Sequence, residues 1–170
     1  MVRLLIALGA YVGAIVLANW MTASLGLVPI GFSLVVTAGT FAAGFALIAR
    51  DWVQVESGRL VVVGAILVGA GVSALTSTPA IALASGVAFL VSELVDMGVF
   101  TPLRGHSLAG AVLLSSVVSA PVDTVLFLAL AGFGVTWQAV VGQFIVKTAI
   151  ALAVASWLTW RRRCSTLQAA

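Results

Sequence analysis

Pro79–Phe100, PAIALASGVAFLVSELVDMGVF, is the stretch on which the reading of this chain turns. It is as long as a bilayer's hydrocarbon core is thick, about 30 Å at roughly 20 helical residues. Two acids, Glu93 and Asp96, nevertheless lie inside it. Being three apart, they project from nearly the same face of a helix.

Outward from this stretch the chain repeats the pattern. Apolar runs cover Val2 to Met21, Val28 to Ala49, Leu60 to Leu75, Leu108 to Gly132 and Trp137 to Trp160, parted by connections too short to be domains. The sequence therefore predicts an all-α integral membrane protein, a compact bundle of six transmembrane helices forming a single domain over residues 1–170. With 62% hydrophobic and 8% charged residues, a water-soluble fold would lack the polar surface to stay in solution. The apolar run after Arg3 continues to Met21 without a small-residue cleavage site, so it reads as a retained first span and not a signal peptide.

In a soluble protein a net charge of +3 would raise the question of nucleic acid. Here the basic residues fall in connections and at the ends, where headgroups and topology account for them, and no nucleic-acid partner is expected. With six spans, Arg3, Arg50, Arg59, Arg104, Arg161, Arg162 and Arg163 all fall on one side of the membrane. The positive-inside rule makes that side the cytoplasm, which puts both termini there and the protein in the cell's plasma or inner membrane. The single cysteine, Cys164, is then in a reducing compartment; there is no disulfide framework and no metal-ligand cluster.

Four ionisable residues remain within the spans: Glu93, Asp96, Asp123 and Lys147. A charge at the bilayer centre costs about 2.5–3.5 kcal/mol on insertion scales, so such residues usually line a cavity. By helix rise Asp123 and Lys147 reach similar depths in adjacent helices. They form either a structural pair that clips two helices together or part of a binding site. In both cases three acids face one base, which favours a ligand that is cationic or rich in hydrogen-bond donors.

Asn19, Gln143 and the serines at 92, 115, 116 and 119 mark the same region. An unpaired amide in lipid is costly, so Asn19 and Gln143 are candidate ligand contacts; a membrane serine more often bonds its own backbone. Phe89, with Trp20, Phe127 and Phe144, offers a surface for stacking a flat ligand, packing being the plainer alternative. Pro121 removes a backbone hydrogen bond just before Asp123. Small pairs such as Gly9 with Gly13 and Ala65 with Gly69 suit close helix packing, within the bundle or in a homo-oligomer. Ser92-Glu93-Leu94-Val95-Asp96 and Ser119-Ala120-Pro121-Val122-Asp123 echo one another faintly. The chain has no phosphate-binding loop, no Ser-His-Asp set and no His cluster, and His106 sits in a connection. Neither an enzyme nor an ATPase is expected, and no cofactor.

Ala84–Phe89, Ser92–Asp96 and Thr101-Pro102-Leu103-Arg104 together resemble the central signature of the VUT family of vitamin uptake transporters, which includes queuosine precursor transporters. The likeness extends to Asn19-Trp20, Arg50-Asp51, Ser115-Ser116, Asp123–Phe127, and Gln143 with Lys147, while Ser116 stands where members often carry asparagine. The resemblance implies an importer of 7-deazaguanine bases, the precursors preQ0 and preQ1. Glu93, Asp96 and Asp123 would accept the N–H donors of the base and Lys147 would organise the acids. The ligand is expected between the fourth, fifth and sixth spans. The alternative is a substrate-binding subunit of an energy-coupling-factor-like vitamin importer, which needs a partner ATPase.

Overall fold

The computed structural model describes residues 2–168, with the side chains at 158 and 161–168 left out. Arg161, Arg162, Arg163 and Cys164, used above for orientation, therefore carry side chains outside the described residues. Among the described residues the chain forms six helices and one two-stranded hairpin. These are α1 (Val2–Leu25), β1 (Leu27–Gly31), β2 (Leu34–Thr37), α2 (Thr40–Ser57), α3 (Arg59–Thr76), α4 (Pro79–Leu103), α5 (Leu108–Leu130) and α6 (Trp137–Gln168). Five of them, α1 and α3 to α6, are long and apolar enough to cross a membrane.

The ends of the helices follow from local chemistry. Pro79 opens α4, where its missing N–H costs nothing, and Thr78 Oγ1 accepts the N–H of Ile81 at 3.3 Å. Ser107 caps α5 in the same way through the N–H of Gly110 at 3.1 Å. Gly58, at φ 85°, makes the turn between α2 and α3 in a conformation that other residues adopt at a cost.

The second predicted span needs correction. Residues 28–37 are not helical: β1 and β2 pair antiparallel, with Gly31 opposite Leu34 and Val28 opposite Val36. Pro29 cannot donate within a helix, Gly26 ends α1 at φ 62°, and Val35, Val36 and Thr37 are β-branched. Apolar content alone does not distinguish such a strand pair from a helix. Phe32 and Ser33 form the two-residue turn with φ of 53° and 59°, the left-handed pair that hairpin twist demands.

The hairpin sets where α2 starts. The Ala38 N–H donates to Gly26 O at 2.8 Å and the Gly39 N–H to Thr22 Oγ1 at 3.2 Å, which draws the return strand alongside α1. A side chain at Gly39 would strike the backbone oxygen of Ala18, so glycine permits this approach. Ala18 and Thr22 lie seven and three residues before the end of α1, and α2 thus begins roughly 5–10 Å inside the bundle. Non-helical backbone at that depth is tolerated because protein surrounds it. On its other side β2 packs on α6 at Gly142, where an added Cβ would press against Val35 O and Val36.

The helices close into a ring in the spatial order α1, α3, α4, α5, α6, α2. Tyr11, Ile15, Leu47, Val53, Ile66 and Phe89 form the main apolar core, filled in by alanines such as Ala7, Ala46 and Ala65. Gly69 lets α3 close on Ile15 of α1, within the bundle as expected. Gly9 and Gly13 face outward with nothing within 4 Å. Leu5, Leu67, Leu83, Leu94 and Trp157 also face outward, while Arg50, Glu93, Asp96 and Lys147 are buried. An apolar exterior around a charged interior is the arrangement hydrocarbon solvent favours.

Candidate functional site

The polar interior is arranged along α5. Ser115, Ser116, Ser119 and Asp123 recur at helical spacing on its inward face, and all are buried. Two ionic groups are built against this face.

The first group joins α5 to α6. Lys147 Nζ donates to Asp123 Oδ2 at 2.5 Å and to Thr124 Oγ1 at 2.9 Å, with both charged side chains almost inaccessible. This is the pairing the sequence suggested.

The second group centres on a residue the sequence reading had assigned to a connection. Because α2 starts late and runs to Ser57, Arg50 and Asp51 lie well inside it and are 1% and 3% exposed. Arg50 Nη2 is 2.7 Å from Asp51 Oδ1 and 2.7 Å from Asp96 Oδ2, and Nη1 is 3.0 Å from Glu93 Oε2. Ser119 Oγ donates to Asp96 Oδ1 at 3.3 Å, so the two echoing Ser-x-x-Val-Asp stretches touch. Lys147 is therefore not the sole interior cation, and Arg50 no longer counts toward the charge bias of the connections. Acid still exceeds base among the described buried residues: Asp51, Glu93, Asp96 and Asp123 against Arg50 and Lys147. The arginine was legible in one respect, since Arg50-Asp51 belongs to the family-like pattern. Its burial was hidden by the hairpin's helix-like hydropathy.

A narrow cavity of about 20 Å³, room for roughly one water molecule, lies beside the first group. Asn19 and Thr22 of α1, Gly39 and Thr40 of α2, Ser85 and Phe89 of α4, Asp123 and Phe127 of α5, and Gln143 and Lys147 of α6 contribute to its wall. Five predicted site residues thus meet there: Asn19, Phe89, Asp123, Gln143 and Lys147. Glu93 and Asp96 do not line it; they are engaged with Arg50, further along α4 toward its C-terminal end. The cavity also extends beyond the fourth, fifth and sixth spans, because the hairpin places the start of α2 against it. Trp20 points outward, half exposed, and Phe144 is not in the wall.

A polar depression at the opposite end of α2 is lined by Gln54, Glu56, Arg59 and Arg104. Gln54, one turn beyond Arg50, is buried and unpartnered at both amide atoms, and stands between the arginine group and this depression. Cavity, ionic group and depression follow one another along the bundle. No group of His, Cys, Asp and Glu with the geometry to hold a metal ion occurs among the described residues.

Five long apolar helices around a buried charged interior define the class as a multi-pass membrane protein by architecture. The family model described as "Putative vitamin uptake transporter" matches residues 22–161, most of the chain. The protein belongs to that vitamin uptake transporter family. Comparison with curated proteins and with solved structures returned no match.

Proposed function

We propose that the protein imports a small planar nitrogenous compound, a queuosine precursor of the 7-deazaguanine type, across the plasma or inner membrane with both termini in the cytoplasm. The observation that carries this reading is the meeting of Asp123, Lys147, Gln143, Asn19 and Phe89 around one narrow cavity. Phe89 and Phe127 supply flat apolar walls, and Asp123 an acceptor for ring N–H groups. Exposed Arg3, Arg59 and Arg104 gather at the end of the bundle that holds the α2–α3 and α4–α5 connections, which supports the orientation.

In this reading the cavity fills from the side of the hairpin. The Arg50–Asp51–Glu93–Asp96 group seals the route to the polar depression at Gln54, Arg59 and Arg104, and transport requires that seal to part. Glu93 and Asp96 then act at the seal, whereas Asp123 acts on the ligand. Parting is costly when a buried guanidinium loses its carboxylates, so ligand binding or a proton must offset it.

Uptake of labelled preQ1 into cells lacking their own importer tests the proposal. Expression of the protein is expected to restore uptake, and Asp123→Asn to reduce it at least tenfold at equal membrane abundance. Wild-type uptake by an Asp123→Asn, Gln143→Ala double variant would remove the site. Purified protein in liposomes should move the compound alone; binding without movement would favour the subunit that needs an ATPase.

A further inference from the structure

We infer that the cavity reads a ring carbonyl through the N-terminus of α2 together with the amides of Asn19 and Gln143, so that its ligands are lactam-bearing heterocycles and their amino counterparts are rejected. The inference rests on the transport reading above and deepens it, by assigning the subsite that sets specificity.

The first observation is a helix start exposed to the cavity. Gly39 and Thr40 form part of the wall, and no side chain caps α2. The N–H of Gly39 is taken by Thr22, leaving the N–H groups of the first helical turn without a side-chain partner. They carry the positive end of the helix dipole, and at this depth bulk water does not serve them. Thr37 and Thr40 hydroxyls bond to each other at 2.9 Å and do not turn back onto those groups.

The second observation is independent of the helix. Asn19 Nδ2 and Gln143 Nε2 have no hydrogen-bond partner, although the residues are 2% and 1% exposed and both line the cavity. They come from α1 and α6, on either side of the α2 start. A buried amide donor left unpaired is costly, and a ligand oxygen set among them and the helix N-terminus removes that cost.

Charge then decides between a carbonyl and a carboxylate. Lys147, the cation in the wall, is already neutralised by Asp123, so the subsite offers dipoles and no free positive charge. A neutral carbonyl oxygen matches this; an anion would leave an uncompensated charge in the interior. Asp123 has a second carboxylate oxygen beyond the one that holds Lys147, an acceptor for the N–H beside such a carbonyl. Phe89 and Phe127, in the same wall, offer apolar faces for a flat ring once the narrow cavity widens to admit it.

Binding to the purified full chain in nanodiscs tests this with matched pairs that differ in the lactam: 7-deazaguanine against 2,6-diamino-7-deazapurine, and pterin against 2,4-diaminopteridine. In each pair the lactam is expected to bind at least tenfold more tightly. Asn19→Asp, which replaces a donor by an acceptor, should lower that ratio at least threefold by weakening the lactam more than the amine. Equal affinity within the pairs, an equal loss for both partners in Asn19→Asp, or no binding of any compound would overturn the inference. Preference for pterin with no binding of 7-deazaguanine would uphold it while refuting the queuosine-precursor reading.

Discussion

Arg50 Nη2 stands 2.7 Å from Asp96 Oδ2, an ion pair that ties α2 to α4. The two helices are not close neighbours along the ring, so the length of the arginine side chain spans the gap. Its two ends of contact, Asp51 beside it and Asp96 with Glu93 across from it, leave three carboxylates dependent on one guanidinium.

Removing that guanidinium should therefore be among the most damaging single changes in the chain. Arg50→Met is expected to cost about 3–5 kcal/mol, the usual penalty for stripping one partner from a buried pair. Arg50→Lys should recover only part of it, because a single ammonium cannot reproduce the fork that reaches Glu93 and Asp96 together. Thermal unfolding of the detergent-solubilised variants measures both. A loss below about 1 kcal/mol for Arg50→Met would place the group in contact with water and remove its role as a seal.

The sequence made some of this visible and concealed the rest for physical reasons. Glu93, Asp96, Asp123 and Lys147 stood out because a charge within an apolar run has few explanations, and Asp123 with Lys147 could be paired from helix rise alone. Arg50 did not stand out, since it sat at the end of an apolar run where arginine normally meets headgroups. Hydropathy treats Val28–Val36 as it treats a helix, and the local marks against one were Pro29, the glycines at 26 and 31 and the β-branched run Val35-Val36-Thr37. Once ten residues go to a hairpin, α2 shifts along the chain and carries Arg50 and Asp51 inside. The same shift brings the α2 start to the cavity, which no periodicity in the sequence announces.

Whether Asp123 and Lys147 are only a clip or also part of the site is separable by a double-mutant cycle. Lys147→Met and Asp123→Asn should each destabilise, the first by about 3 kcal/mol because it strands a buried carboxylate. The double variant should lose less than the sum, with coupling of about 1–3 kcal/mol. A clip alone predicts that uptake returns along with stability. The site reading predicts that the stable double variant still takes up less than a tenth of the wild-type amount, since Asp123 is then gone from the ligand.

The seat of the hairpin on α6 can be probed at Gly142, where a Cβ would press on Val35 O. Gly142→Val should push β2 away, cost about 1–3 kcal/mol through overpacking, and weaken ligand binding because the α2 start moves with the strand. Gly64→Ala is the control: it is also a helical glycine, but nothing lies within 4 Å of its added Cβ. That change should stabilise α3 by up to about 1 kcal/mol and leave binding unaltered. Equal effects at the two positions would mean that hairpin and cavity are not mechanically linked.

The hairpin turn stores strain that can be relieved without touching the interior. Phe32 and Ser33 both hold positive φ, where an L side chain costs about 1–2 kcal/mol. Phe32 is 97% exposed, so neither the ring nor the small hydroxyl of Ser33 offsets that cost through packing within the chain. Ser33→Gly is expected to raise stability by about 1 kcal/mol, or roughly 2–4 °C in the thermal midpoint, with ligand affinity unchanged. Ser33→Pro fixes φ near −65° and should do the opposite, opening the turn and loosening β2 from Gly142. A midpoint that ignores both substitutions would mean that the turn residues are not held in the left-handed region, and the late start of α2 would then need another cause.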